Sequence, residues 1–286
     1  MSFGPNPWQQ TSWDWRAAGN FIGGGAGTGL LVAVAFFAAP DATKAWTSNW
    51  LLLLALAIVG CGLTCVWLEI GRPLRALHVF FNPYTSWMSR EGFVGLLLFP
   101  TGLMAVLGFS GWVWASAVLA VVFLYCQSRM LPDAKGIPAW RSKLVTPLVF
   151  VTGLCEGYGV FLLLGLVHGM VTGSVVLSFA ALALARIAVW TLYRRAVDAS
   201  LASRARAALD VAGSRLLIFG TIAPLVLLGT SLWLPAGAVQ AGLIAAAGAS
   251  AAVAGAFVKY TLVTRASFNQ GFALKNIPVR GVRAPS

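Results

Sequence analysis

Apolar segments about as long as a lipid bilayer is thick recur throughout this chain. A helix that crosses the hydrocarbon core needs about 20 predominantly apolar residues, and a sliding window of about 19 residues finds eight such segments. They cover residues 15–38, 50–70, 91–108, 112–130, 144–167, 174–193, 214–234 and 238–264. The pattern predicts an all-α integral membrane protein with eight transmembrane helices, arranged as two four-helix bundles.

The composition leaves little room for a soluble domain. Of the 286 residues, 59% are hydrophobic and only 10% are charged, whereas a soluble domain carries about 25% charged residues. We therefore interpret residues 1–286 as a single transmembrane domain. The net charge is +12, but the basic residues lie in short loops and form no stripe along a polar helix. We expect membrane lipid, and not nucleic acid, as the surroundings of these charges.

The distribution of the basic residues predicts an orientation. The loops after the second, fourth and sixth apolar segments and the C-terminal tail are rich in arginine and lysine. The loops after the first, third, fifth and seventh segments contain one basic residue, Lys44. The positive-inside rule then places both termini in the cytoplasm, with 67–93 as a cytoplasmic loop, 194–210 as a basic surface segment and 265–286 as a cytoplasmic tail. A loop that binds a partner would also be basic, so that alternative stays open. We expect a multi-pass protein of the bacterial inner membrane.

Glycines in the first apolar segment invite comparison with a nucleotide-binding loop. Residues 23–29 read GGGAGTG, but no strand precedes them and they lack the spacing and the terminal Lys-Ser/Thr of such loops. Gly23 with Gly27, and Gly25 with Gly29, instead form pairs of small residues four positions apart. Pairs of this kind let two helix backbones approach closely in lipid, and we predict that role here.

The chain offers few ligands for a metal. Its two histidines, His78 and His168, lie at opposite ends of the predicted bundle, and its four cysteines lie inside apolar segments. A bis-histidine haem needs both ligands at one iron, and an iron–sulfur cluster needs about four thiolates together. We therefore expect no metal, no haem and no iron–sulfur cluster in this chain. Any redox role would use an organic carrier or a partner's cofactor.

Charge is concentrated in the segment between the second and third apolar stretches. Residues 67–93, WLEIGRPLRALHVFFNPYTSWMSREGF, contain three arginines, one histidine and two glutamates. Such a concentration in a chain with so little charge indicates a surface on which a charged or polar partner docks.

The same segment carries a resemblance to a known family. Residues 69–76 (EIGRPLRA) and 86–91 (SWMSRE) resemble the NrfD-like membrane subunits of complex iron–sulfur molybdoenzymes, which include the polysulfide reductase (PsrC-type) and nitrite reductase subunits and are related to the dimethyl sulfoxide reductase anchor. Residues 137–148, with Pro-Ala-Trp before an apolar segment, and 13–15 (WDW) are similar to the family as well. Residues 269–272 and 278–281 resemble, more weakly, the branch of phenylacetyl-CoA:acceptor oxidoreductases.

The resemblance implies a function and a set of residues. It implies a quinone-binding anchor that passes electrons between a four-cluster, ferredoxin-like iron–sulfur subunit, which carries a molybdopterin or tungstopterin catalytic subunit, and the ubiquinone or menaquinone pool. The implied quinone-site residues are Asn20, Trp15, Glu69, Arg72, His78 and Tyr125, with Glu69 and His78 as candidates for proton transfer. The implied docking residues are Arg72, Arg75, Arg90 and Arg141.

Two further charges lie inside apolar segments. Glu156 and Arg186 are intramembrane ionisable residues, which are functional candidates by default, and an unpaired charge there is costly. We predict that they form a pair, with either a structural role or a place in a proton path.

Two other function classes stay open at this point. A secondary transporter would show midplane polar clusters and internal repeats, and a scaffold-only anchor would hold partners without quinone chemistry. Co-purified subunits and quinone-analogue inhibition distinguish the three classes.

Overall fold

The computed structural model describes residues 7–38, 45–70, 73–109, 111–165 and 171–270. Within these ranges the regular structure is helical, apart from one isolated β-bridge between Gln9 and Phe268. The all-α prediction is confirmed to that extent.

Eight long helices make up the described part. They are α1 (Trp15–Phe37), α2 (Ala45–Glu69), α3 (Trp87–Val106), α4 (Gly111–Asp133), α5 (Val145–Gly165), α6 (Gly173–Val197), α7 (Ser203–Ser231) and α8 (Ala238–Arg265). A 3₁₀ helix, Pro73–Phe81, lies between α2 and α3, and one helical turn, Pro138–Arg141, precedes α5. Two π-helical segments, Ile218–Ile222 and Thr261–Arg265, form the middle of α7 and the end of α8.

Seven of these helices are long and apolar enough to cross a membrane. The protein is therefore a multi-pass membrane protein. Helix α3 is 20 residues long but falls outside that set, since its first turn and the next carry Arg90 and Glu91 among otherwise apolar residues.

Short polar signals define several helix ends. The Asp14 carboxylate accepts a hydrogen bond from the backbone N–H of Arg16 at 2.7 Å and caps α1. The hydroxyl of Ser86 accepts one from the backbone N–H of Ser89 at 3.3 Å and caps α3. Such caps satisfy N–H groups that the first helical turn leaves unpaired. Between α3 and α4 the chain turns at Gly108, whose φ of +95° suits a residue without a side chain.

The helices form two groups of four. Helices α1 to α4 contact one another in cyclic order, helices α5 to α8 do the same, and α1 joins the groups by packing against α5. The glycines of α1 make these contacts close. A Cβ on Gly23 would lie 3.0 Å from the Cα of Gly62 in α2, and a Cβ on Gly25 would lie 3.0 Å from the Cα of Gly153 in α5. The predicted role of the glycine pairs in close helix packing is confirmed.

The two ends of the described chain lie together at one end of the molecule. The backbone N–H of Gln10 donates to the carbonyl of Ser267 at 3.0 Å, and the Gln10 side-chain amide donates to the carbonyls of Trp13 and Val263. Arg16, at the start of α1, donates to the carbonyl of Leu68 near the end of α2. The segment that follows α2 therefore begins at the same end as the chain termini.

The basic segment 194–210 is divided between two helices. Helix α6 continues to Val197 and α7 already begins at Ser203, whereas the sequence predicted the seventh span only from residue 214. Within the segment, Asp198 forms ion pairs with Arg194 and Arg206, both at 3.3 Å. The arginines are thus partly neutralised by aspartates on the same surface.

Candidate ligand-binding site

A cavity of about 670 Å³ lies between α2, α3 and the 3₁₀ helix. Its walls are apolar. They are formed by Leu63, Val66, Trp67 and Ile70 of α2 and its end, Leu77, Val79 and Phe80 of the 3₁₀ helix, and Met88, Gly92, Gly95, Leu96, Phe99 and Pro100 of α3. Among the described lining residues, Asn20 and Glu91 alone contribute side-chain amide or carboxyl groups. Leu96 and Trp67 in this wall are exposed, and the cavity is open on one side.

A small polar cluster forms the inner wall of this cavity. The Glu91 carboxyl, whose residue is 3% exposed, accepts hydrogen bonds on Oε1 from Gln127 Nε2 at 3.0 Å and from Asn20 Nδ2 at 3.4 Å. Gln127 also donates to the backbone carbonyl of Asn20 at 3.0 Å. Helices α1, α3 and α4 therefore meet at one carboxyl group, which neutral amides alone hold in place.

The local sequence explains this placement. The Ser86 cap starts α3 just before Trp87, so Glu91 lies one turn inside the helix and faces α1 and α4. Gly24 of α1 makes room for the Gln127 amide, because a Cβ there would overlap that amide. The inward-facing position of the Glu91 carboxyl thus depends on the Ser86 cap of α3, the Gln127 amide of α4 and the absence of a side chain at Gly24 of α1.

A second cavity adjoins the first. It measures about 140 Å³ and is lined by Trp13, Ala17, Asn20, Phe21, Val66, Glu69, Ile70, Met88 and Met130. Asn20 lines both cavities. The large cavity therefore has Glu91 in its wall and the small one has Glu69, and Asn20 shares the boundary between them with Val66, Ile70 and Met88.

The arginines near the site bind other groups. Arg90 donates to the carbonyls of Pro83 and Tyr84 and its guanidinium lies 4.1 Å from the centre of the Trp87 ring. Arg129 lies 5.0 Å from the same ring. Arg16 pairs with Asp14 at 2.9 Å, and its hydrogen bonds lower the pKa of that aspartate. No ion pair to Glu91 occurs among the described residues.

The structure brings two of the predicted site residues to these cavities. Asn20 lines both, and Glu69 lines the smaller one. Trp15, at the start of α1, is exposed and lines neither cavity. Trp13, two positions earlier, lines the small cavity instead. Tyr125 is 44% exposed and sits edge-on to Trp87, 5.7 Å between ring centres, outside the lining of either cavity.

The other predicted residues lie on exposed surfaces or outside the described residues. His78 is exposed on the 3₁₀ helix and meets Phe81 edge-to-face, while its neighbours Leu77 and Val79 line the large cavity. Arg141 is exposed and donates to the carbonyl of Lys135 and to Gln270. Arg72 lies outside the described residues, as does the side chain of Arg75, and so does His168.

The intramembrane pair differs from the prediction. Glu156 was expected to pair with Arg186, but its Oε2 accepts from Lys259 Nζ at 2.6 Å, with both residues 1% exposed. Arg186 donates instead to the backbone carbonyls of Ala251 and Gly220. Both Glu156 and Arg186 lie against Gly255, so the guanidinium is a neighbour of the pair and not its bonded partner. The π-helical segment of α7 supplies the Gly220 carbonyl, and this explains why a backbone group there is free to accept.

Sequence reasoning missed three residues of these networks. Glu91 was read as part of the interfacial loop, although it is the last charge before a long apolar stretch. Gln127 is an uncharged amide within an apolar segment, and Lys259 is the only lysine inside the last one. Polar residues within apolar segments were the signal that could have found Gln127 and Lys259.

The networks contain no grouping typical of a metal site. Among the residues that the structure describes, no three His, Cys, Asp or Glu side chains come together as possible metal ligands. No protein-family model and no curated protein matches this chain. The cavities and the loop motif are therefore the features of this chain that bear on its function.

Proposed function

We propose that this protein is the quinone-binding membrane anchor of a multi-subunit oxidoreductase. In this proposal it crosses the bacterial inner membrane eight times, with both termini in the cytoplasm. It passes electrons between a partner iron–sulfur subunit, attached to a molybdenum or tungsten catalytic subunit, and the quinone pool.

The large cavity carries the proposal. Ligand pockets typically measure about 300–1,000 Å³ and combine apolar walls with a few convergent polar groups. A quinone has the matching chemistry, since its ring oxygens accept or donate hydrogen bonds and its isoprenoid tail is apolar. The 670 Å³ cavity offers Glu91 and Asn20 to the ring and apolar walls to the tail. Its exposed wall residues, such as Leu96, allow entry from the lipid.

The position of the cavity supports electron transfer to a partner. The 3₁₀ helix that forms one wall belongs to the charged loop 67–93, whose motif resembles NrfD-like subunits. That loop begins at the end of the molecule where residues 8–10 bond to residues 267–269. A cluster-bearing subunit docked on this end would lie close to a quinone ring held by Glu91.

Quinone-analogue binding tests the proposal. Val66 lines both cavities, and Val66→Trp would fill space between them. Val118→Trp is the matched control, because Val118 is 63% exposed on α4 and lines neither cavity. We expect a hydroxyquinoline inhibitor to bind the purified wild-type protein saturably, and Val66→Trp to weaken that binding at least about tenfold, or about 1.4 kcal/mol.

The control variant should bind the inhibitor like wild type. Absence of saturable binding to the wild type, or equal affinity of Val66→Trp, would contradict the quinone site and favour a scaffold-only anchor. Affinity purification from native membranes tests the partner. We expect iron and molybdenum or tungsten to co-purify, whereas a chain that purifies alone and transports a solute would be a transporter.

A further inference from the structure

We propose that Glu91 is the catalytic residue that exchanges a proton with a ring oxygen of the quinone, and that Asn20 and Gln127 position its carboxyl group. This inference rests on the proposed function and names the proton-transfer group of that site. It differs from the roles expected from the loop motif, which favoured Glu69 and His78.

The hydrogen bonds of Glu91 leave one oxygen available. Both amide donors, Gln127 Nε2 and Asn20 Nδ2, reach Oε1. Among the described residues no donor reaches Oε2, and the residue lines the large cavity. The two amides therefore fix the carboxyl plane, while the second oxygen is left for a ligand in the cavity.

The surroundings of Glu91 suit a group that cycles between its two protonation states. A buried carboxylate costs several kcal/mol unless a cation or several donors compensate it, whereas the neutral acid does not. Within the described ranges, the cations near Glu91 bind other groups: Arg90 donates to the carbonyls of Pro83 and Tyr84, Arg129 lies over the Trp87 ring, and Arg16 pairs with Asp14. In the same ranges, Cys126, Glu69 and His78 form no ion pair or hydrogen bond with Glu91. The carboxyl is therefore not locked into its ionised form, in contrast to Glu156 beside Lys259.

In the proposed reduction of the quinone, the O–H bond of the Glu91 acid breaks, and its proton forms a new O–H bond on the ring oxygen. The two electrons come one at a time from the reduced iron–sulfur partner. The other ring oxygen takes its proton from water, and quinol oxidation is the reverse.

The small cavity offers a way to replace the proton. Asn20, which donates a hydrogen bond to Glu91, also lines this cavity, whose wall includes Glu69 at the end of α2. Its 140 Å³ would hold about four waters at about 30 Å³ each. We infer that Glu69 passes protons between the surface and Glu91, so that it acts through Glu91 and not on the ring.

Glu91→Gln tests the proposal in native membranes with the partner subunits present. The amide keeps the size and hydrogen bonding of the side chain but cannot exchange a proton. We expect inhibitor affinity within about threefold of wild type and electron transfer from a short-chain quinol to the partner clusters slowed at least about 100-fold, the usual range for a lost acid–base group. Glu91→Asp, which restores a carboxyl group, should recover part of that rate.

An infrared readout separates proton transfer from a structural role. In redox-difference spectra of the reconstituted protein with bound quinone, we expect a carboxylic C=O band that shifts in D₂O and is absent from Glu91→Gln. Gln127→Leu serves as the control, since it removes a positioning amide but should retain the band.

Three results would overturn the inference. They are wild-type turnover in Glu91→Gln, persistence of the band in that variant, or loss of inhibitor binding by more than about tenfold, which would make Glu91 a binding group only. Failure of the wild type to bind any quinone analogue is a different result, because it removes the proposed function and this inference with it.

Discussion

Two carboxyl groups, those of Glu91 and Glu156, are buried in the described part of this bundle, and their surroundings differ. Glu91 lies in the first four-helix group beside a large cavity and is held by neutral amides. Glu156 lies in the second group, bonded to Lys259 and adjacent to Arg186. Among the described residues, the first carboxyl borders a large cavity and has no cation bonded to it, whereas the second has a bonded cation and borders neither of the two cavities. Under the proposed function, ligand chemistry belongs to the first group, whereas the charges of the second join helices α5 and α8.

Helix α1 separates the two networks with consecutive glycines. A Cβ on Gly24 would overlap the Gln127 amide, and one on Gly25 would overlap the Lys259 ammonium. Successive helical residues point about 100° apart, so the two glycines face different helix groups. The Lys259 ammonium also donates to the carbonyl of Phe21 at 2.8 Å, which ties the second network to the helix that lines the cavity.

The sharpest test of this comparison is the same substitution at both carboxyls. Glu156→Gln leaves Lys259 and Arg186 without an anion, and breaking a buried pair in this way costs about 3–5 kcal/mol. Glu91→Gln leaves no unpaired charge, so we expect its stability to change by less than about 1 kcal/mol. Unfolding in mixed detergent micelles measures both.

A double variant tests whether the stability loss of Glu156→Gln comes from the unpaired charge of Lys259. Glu156→Gln combined with Lys259→Met should regain most of the lost stability, because the excess charge is removed. Equal losses for the two single variants would show that the two carboxyls have the same structural role.

A second test compares the packing of the two regions. A Cβ on Gly157 of α5 would overlap the α1 backbone at Gly29 and Leu30, whereas a Cβ on Gly95, beside the cavity, would lie 3.4 Å from Phe123. Overpacking costs about 1–3 kcal/mol, and alanine favours a helix over glycine by up to about 1 kcal/mol. We expect Gly157→Ala to lose about 1–3 kcal/mol and Gly95→Ala to lose none, as measured by thermal unfolding in detergent. The reverse order would mean that the cavity side is the more tightly packed.

The smallest expected effect concerns two tyrosines. The buried Tyr193 hydroxyl donates to the carbonyl of Ala139 at 2.9 Å, and losing such a bond costs about 0.5–1.5 kcal/mol. Tyr193→Phe should therefore lower the unfolding midpoint measurably. Tyr125→Phe, at an exposed position in the first group, keeps the ring contact with Trp87 and should change stability by less than about 0.5 kcal/mol. A larger loss would assign the Tyr125 hydroxyl a role in folding, although it forms no hydrogen bond among the described residues.

Hydropathy alone predicted much of the helical pattern, and its errors have a physical cause. A window of apolar residues detects the part of a helix that lies in lipid, not the helix itself. Helix α7 begins at Ser203 with a polar first turn, and α3 begins at Trp87, so both starts were placed too late. The helix continues past the apolar region because its backbone hydrogen bonds do not require lipid.

The candidate site was harder to predict because it depends on which helices are neighbours. Asn20 could be selected from one sequence, since an amide in an apolar span needs a partner. Its partners Glu91 and Gln127 lie 71 and 107 positions away. Periodicity cannot reveal contacts at such separations. The same limit led to Glu156 being assigned to Arg186 instead of Lys259, which is 103 positions distant.

The side chain of Gln10 has a mechanical consequence. Its amide nitrogen donates to the carbonyls of Trp13 and Val263, and its oxygen accepts from the backbone N–H of Trp13. Trp13 in turn forms part of the wall of the small cavity. A displacement of the end of α8 would therefore reach the lining of that chamber in part through Gln10, beside the bonds of Gln9 to Thr264 and of Trp140 to Leu262.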